Sequence, residues 1–244
     1  MQKIITDPRL DPMGQMIVDY LNGRTQARVE VFSPHLEMGE MTGEMLCRPF
    51  VDMSAMEQDA LSRCRGRILD VGAGSGCHSL WLQDRGEDVS ALEISPGCIR
   101  AMEKQGVNTI LYDSFFRLKT DPFDTILMLM NGIGLCGTLE GVKLFFQHLP
   151  QLLDDQGQVL VDSTDLGAYA PVDSPEDPED SEPGLGFWET QFSVTYGGLQ
   201  SPDFDWIYMD FETLSYHADL HGFQCRCIHQ GERGKYLARI RRKS

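Results

Sequence analysis

The chain has 244 residues, enough for one α/β domain with a full core and short for two. Hydrophobic residues make up 41% and charged residues 24%, an ordinary globular balance, and no stretch approaches the ~18 apolar residues of a membrane span. A net charge of −16 repels polyphosphate overall and argues against nucleic acid as a partner, short of a local basic patch that overrides it.

The segment Met1–Pro8 lacks an apolar signal core, so a cytoplasmic protein without membrane attachment is expected. The first fifty residues are punctuated by Pro and Gly, with a short helix predicted over Gly14–Leu21. Ser54 and Glu57 form a capping box for a helix over Ala55–Arg65. From Arg67 the chain alternates. Arg67–Val71 reads as a strand, Ser75–Arg85 as a helix, and Asp88–Glu93 as a second strand. A helix begins at Ser95-Pro96 and stops at Gly106. Asn108–Tyr112 and Asp124–Met130 are the next strands, Leu139–Leu153 a helix, and Gln158–Asp162 a fifth strand after a turn at Gln156-Gly157. This spacing predicts βαβ units around a parallel sheet covered on both faces.

The pattern then breaks. Pro171–Gly186 is rich in Pro, Asp and Glu and reads as a surface loop. Phe187–Tyr196 and Trp206–Met209 read as aromatic strands, and Phe211–Leu220 as a helix. Two strands, Phe223–His229 and Lys235–Ile240, close a seven-stranded mixed sheet. Arg239, Arg241, Arg242 and Lys243 are read as a solvated basic tail. Seven cysteines without framework spacing are expected to be buried or free thiols.

The chemistry concentrates in Ile68-Leu-Asp-Val-Gly-Ala-Gly-Ser-Gly-Cys77, where a buried strand runs through three glycines into a helix. Glycines there permit positive φ and close approach of backbone amides to a ligand. The spacing is G-x-G-x-G rather than the dinucleotide fingerprint G-x-G-x-x-G, and Asp70 precedes it. A carboxylate there suits a cationic ligand better than a pyrophosphate.

Leu69-Asp-Val-Gly-Ala-Gly-Ser-Gly76 resembles the first motif of class I S-adenosylmethionine-dependent methyltransferases, and motif order extends the resemblance from Arg67 to Asp162. The resemblance implies a Rossmann-like fold with helices on both faces of the seven-stranded sheet. It implies S-adenosyl-L-methionine as cofactor, with Asp70, Gly72, Ala73, Gly74 and Gly76 at the aminoacyl part. Glu93 and Ile94 would lie at the ribose, and Asp113 and Ser114 at the adenine. Asp124–Gly132 resembles the fourth motif, which puts Asn131 near the methyl group.

Methyl transfer is an in-line displacement on an activated sulfonium, so proximity supplies much of the acceleration and a base is needed only where the acceptor loses a proton. Asn131 and His78 are the catalytic candidates. Asn131 is followed by Gly-Ile-Gly, which departs from the Asn/Asp-Pro-Pro-aromatic motif of base and amide methylation. The expected acceptor is therefore a small molecule. His217 and His221 share a helix face, and Cys225, Cys227 and His229 a strand face, but this spacing matches no familiar zinc pattern and no metal is expected. Residues 1–65 are expected as an N-terminal cap, 66–244 as the methyltransferase domain, and 170–210 as an insertion within it. Arg48–Phe50, Asn131 and the strands Phe187–Tyr208 are expected to converge over the methyl position. A monomer or homodimer is expected. Two other readings stand beside this one: an NAD(P)-dependent oxidoreductase and a non-catalytic S-adenosylmethionine-binding regulator.

Overall fold

The computed structural model describes residues 4–36, 39–167 and 186–243, and Pro171–Leu185 of the expected acidic loop lies outside them. Helix α1 (Pro12–Leu21) begins where the Asp11 carboxylate accepts the Gly14 N–H. Strands β1 (Arg28–Phe32) and β2 (Glu40–Thr42) follow, then the single turn α2 (Gly43–Leu46). Helix α3 (Ala55–Ser62) carries the expected capping box in full.

The alternating run comes next: β3 (Arg67–Val71), α4 (Cys77–Asp84), β4 (Asp88–Glu93), α5 (Pro96–Gln105), β5 (Ile110–Tyr112), β6 (Phe123–Met128), α6 (Leu139–Leu152) and β7 (Leu153–Thr164). Then β8 (Phe187–Tyr196), the short β9 (Leu199–Gln200) and β10 (Phe204–Met209) lead to α7 (Phe211–Leu220), β11 (Phe223–Gln230) and β12 (Lys235–Arg242). Seven strands pair in the order β11-β12-β7-β6-β3-β4-β5. The five central and outer βα strands are parallel, and β12 and β11 run antiparallel at one edge. Successive residues of a strand serve opposite faces. Leu69, Ile126 and Val159 pack with Phe145 and Leu214 from α6 and α7, while Ile68, Leu127 and Leu160 pack with Leu61 and Leu82 from α3 and α4. Burial on both faces is why these strands read as unbroken apolar runs.

Two local expectations need correction. Strand β7 starts at Leu153, because Phe123 pairs with Leu153 while Thr125 pairs with Gln158; the residues between bulge out of the ladder. Arg239, Arg241 and Arg242 are not a solvated tail, since β12 stays paired to β11 as far as Arg242.

The aromatic strands belong to a second sheet, ordered β10-β8-β1-β2, with β9 on β8. Strand β8 pairs with β10 along Phe187–Phe192 and with β1 through Glu30↔Thr195 and Phe32↔Ser193. The inner face of this sheet buries Val29 and Val31 of β1 and Phe192 and Val194 of β8 against Met16 and Ile17 of α1 and Cys98 and Ala101 of α5. Helices α1 and α5 touch backbone to backbone, for a Cβ on Gly97 would fall onto the Gly14 main chain. No helix among the described residues is long and apolar enough to cross a membrane.

Gly97→Ala should therefore cost about 1–3 kcal/mol, because backbone cannot yield as a side-chain tip can. Urea denaturation measures this, and an unchanged midpoint would mean that the crossing is not close-packed.

Candidate active site

The chain leaves β3 through Gly72, Gly74 and Gly76, with φ of +71°, +59° and +84°. Such angles favour glycine at all three positions, but the surroundings differ. A Cβ on Gly76 would come within 2.8 Å of Met102 and 3.0 Å of Val107, so this glycine serves the packing of α4 against α5. A Cβ on Gly72 or Gly74 would meet nothing nearer than 3.9 Å. That open space lies at the carboxyl ends of the parallel strands, where open α/β sheets take ligands. Ala73 sits between the two, buried, with its N–H on the Leu92 carbonyl.

Glu93 ends β4 beside this turn. Its Oε2 accepts the Gly74 N–H at 2.8 Å, and its Oε1 accepts from Ile94 at 2.7 Å and Ser95 at 3.0 Å. Of about four acceptor directions on a carboxylate, one on Oε2 is left. Burial pushes the Glu93 pKa upward against those three donors. Asp70 is buried in β3 and accepts from the Ser79 hydroxyl at 2.7 Å; burial raises its pKa as well. Asp113, half-buried after β5, takes the Ser114 N–H at 2.7 Å and lies 3.8 Å from the Arg117 guanidinium.

A strap that the sequence did not announce crosses these strand ends. The Ile5 N–H donates to the Ile94 carbonyl at 2.9 Å, and the Tyr112 hydroxyl donates to the Ile5 carbonyl. Further on, the buried Asp11 carboxylate accepts from Ser95 Oγ at 2.8 Å and from the Gly97 N–H at 2.8 Å. The visible signal for Asp11 was its place before Pro12, a helix start.

After β6, Met130 and Asn131 both adopt left-handed backbone, with φ of 66° and 60°. Two consecutive non-glycine residues in this region persist only where the surroundings hold them. The Gly132 N–H donates to the buried Asp162 carboxylate at 2.8 Å. Asn131 donates through Nδ2 to the Ile207 carbonyl at 3.2 Å and accepts from Ser163 Oγ at 3.3 Å. Ser163 Oγ also accepts the Met209 N–H at 3.1 Å. Thus β10 is fastened to the ends of β6 and β7. Gly134, in the 3-10 turn that follows, lies so close to Trp206 of β10 that a Cβ there would enter the indole. Leu135 of the same turn is the nearest neighbour of a Cβ on Gly72. The aromatic strand and the glycine turn therefore share one edge of the sheet.

His78 is buried on α4, its Nε2 3.1 Å from Glu57 Oε1. Glu57 also receives the Arg48 guanidinium and both the N–H and the hydroxyl of Ser54. Burial alone would raise the Glu57 pKa, but His78, Arg48 and Ser54 together bring it down to about 2. Ser75 Oγ donates to the Leu46 carbonyl at 2.5 Å, tying α2 to the glycine turn. Phe50 stacks on Trp81 of α4 at 4.3 Å. The His217–His229 constellation does not converge: His221 stacks on Phe146 and His229 lies 3.4 Å from Asp59.

Comparison with known proteins places this geometry. An S-adenosylmethionine-dependent methyltransferase from Bacteroides fragilis, solved with S-adenosyl-L-homocysteine, is 39% identical, with a TM-score of 0.88 over 99% of both chains. The CcbJ methyltransferase from Streptomyces caelestis shares the fold at 13% identity, with a TM-score of 0.61 over 98% of this chain and 100% of its own. An uncharacterized methyltransferase from Staphylococcus carnosus is 38% identical over 80 residues, which is 32% of this chain and 38% of that one. No family model matches the chain.

Burial pushes the Asp162 pKa up to about 6, above its ordinary carboxylate value. The fold thus favours the protonated acid, and this contribution to stability is full below the unfolded value and is lost as pH rises through about 6. Asp162→Asn keeps an acceptor oxygen and removes the charge. It should gain on the unmodified protein by on the order of 3 kcal/mol between about pH 4 and pH 7. Urea midpoints at both pH values test this; a constant difference would show that the buried charge is fully compensated.

Proposed function

Because the chain belongs to the S-adenosylmethionine-dependent methyltransferases, we propose that it methylates an uncharged or cationic small molecule held between the glycine turn and the aromatic face of β8 and β10. The observation that carries this reading is Trp206 seated on Gly134, one residue from the leucine that borders Gly72. The family membership closes the oxidoreductase alternative.

The residues fit the cofactor. Gly72, Ala73 and Gly74 cradle its aminoacyl part, with Gly76 packing α4 behind them, and Asp70 offsets the ammonium charge. Glu93 has one acceptor direction left for a ribose hydroxyl, with Ile94 beneath it, and Asp113 and Ser114 border the adenine. S-adenosylmethionine supplies a methyl group already activated on sulfur. The acceptor's lone pair forms the new bond to carbon as the carbon–sulfur bond breaks, and S-adenosylhomocysteine is left. Holding the two in line is the main task of the chain.

On this reading Asn131 sets the shape of the edge facing the methyl group, with its amide engaged at both ends. His78, oriented by Glu57, takes the proton where an acceptor must lose one. Trp188, Trp206 and Tyr208 offer ring faces on one side of their sheet, and the Tyr208 hydroxyl has no hydrogen-bond partner among the described residues. Arg48 and Arg117, the cations bound to site residues, are each engaged by a carboxylate, Glu57 and Asp113. Neither is left to receive an anionic acceptor. Residues 1–65 and the inserted strands then act together as the cap.

Release of S-adenosylhomocysteine from a panel of neutral, cationic and anionic small molecules tests the proposal. Turnover is expected among the first two classes, and turnover confined to anions would overturn the charge argument. Calorimetry addresses the ribose assignment: Glu93→Ala should weaken S-adenosylhomocysteine binding by about 1.5–3 kcal/mol. Unchanged affinity in a folded variant would remove Glu93 from the site.

A further inference from the structure

Strand β11 is an edge of the seven-stranded sheet. On the face covered by α3 and α4, β12 contributes Leu237 to the core. Continuing along that face at a period of two, it carries Arg239 and then Arg241. Arg226 of β11 stands directly across from Arg239. Helix α3 ends at Ser62 and leaves Arg63 and Arg65 alongside. The buried Gln158 side chain joins the two groups: its Nε2 donates to the Arg63 carbonyl at 2.7 Å, and its Oε1 accepts from the Arg241 guanidinium at 3.4 Å. Five arginines therefore share one shelf, toward the amino ends of the parallel strands and away from the glycine turn.

The shelf is poorly neutralised. Asp59, 2.8 Å from Arg63, is the one carboxylate in ion-pair contact with any of the five among the described residues. Arg241 Nε is buried without a partner. Burial and the four neighbouring guanidinium groups hold the Arg239 pKa below its ordinary value. The carboxyl end of α3 supplies only about half a negative charge. In a chain with 37 acidic residues against 21 Lys and Arg, no described carboxylate other than Asp59 is spent on this cluster.

We propose that this shelf binds a compact oligophosphate, either the di- or triphosphate group of a nucleotide or a free short phosphate chain. Guanidinium forks match phosphate oxygens bidentately. Cross-strand neighbours stand about 5 Å apart and same-face neighbours about 7 Å, a footprint on which an oligophosphate concentrates several charges. An acidic peptide spreads single charges more widely. An extended nucleic acid would leave the shelf and run over an acidic surface, where repulsion acts within a Debye length of about 8 Å.

The inference is independent of the acceptor assigned above, and full-length protein at physiological ionic strength tests it. Calorimetry with tripolyphosphate, and separately with ATP, should show saturable binding. Arg226→Gln and Arg65→Gln, both at exposed positions, should each weaken it by about tenfold while leaving S-adenosylhomocysteine affinity and the melting temperature unchanged. Equal affinity for tripolyphosphate and ATP identifies the phosphates as the recognised group, and tighter ATP binding adds the nucleoside. No binding of either at millimolar concentration overturns the proposal. So does binding that survives both substitutions, or affinity for single-stranded RNA that keeps rising with length where tripolyphosphate gives none.

Discussion

A carboxylate taken out of water must find donors, and around the glycine turn and the carboxyl ends of the parallel strands four of them do so. Asp11, Asp70, Glu93 and Asp162 are all buried. Asp11 takes the start of α1, Ser95 and the Gly97 amide; Glu93 takes the Gly74 amide of the glycine turn and the Ile94 and Ser95 amides that follow it; Asp162 takes the amide of Gly132; Asp70 takes the Ser79 hydroxyl. Each acid therefore fixes the backbone around it. The loops at this edge are held from within by these bonds, which is the kind of preorganisation that in-line transfer requires.

Two more side chains extend this frame into the second sheet. Asn131 and Ser163 bond the backbone of β10, so the strand that carries Trp206 and Tyr208 is joined to the turn after β6. Glu57 does comparable work on the other flank, where one carboxylate caps α3, pairs with Arg48 and orients His78. Substitutions on β8 and β10 can thus be accommodated without disturbing the glycine turn, because the two are linked through a few side chains and not through a shared strand.

What could be read from the sequence was whatever local chemistry dictates. β3 and β4 have the bounds their apolar runs and flanking turns imply, and α5 begins and ends at its Ser-Pro and Gly signals. The glycine turn and Glu93 lie together as motif order implied. Long-range pairing left no such trace. Nothing in Arg28–Phe32 names Ser193–Thr195 as its partner, and alternation in Phe187–Tyr196 indicated a strand without saying which neighbour it would take. Asp162 was a strand end like any other until the fold brought Gly132 to it. Glu57 was visible only as a helix cap, since Arg48 and His78 reach it through tertiary contact. The basic run at the chain end looked like a tail because a paired strand with same-face arginines and a charged terminus have the same composition.

The second sheet also sets a timetable. Glu30 and Thr195 pair across 165 residues of chain. On a ribosome adding about 5–20 residues per second, β1 waits roughly ten to thirty seconds for β8 to be made. During that interval β1 has only β2 beside it and the part of α1 that β8 later covers stays open, whereas β3 and β4 are followed within a few dozen residues by their neighbours. The Rossmann-like core is thus positioned to assemble first around its short-range crossovers, and the second sheet is the late product of synthesis, closed by the arrival of a strand from the far side of the sequence.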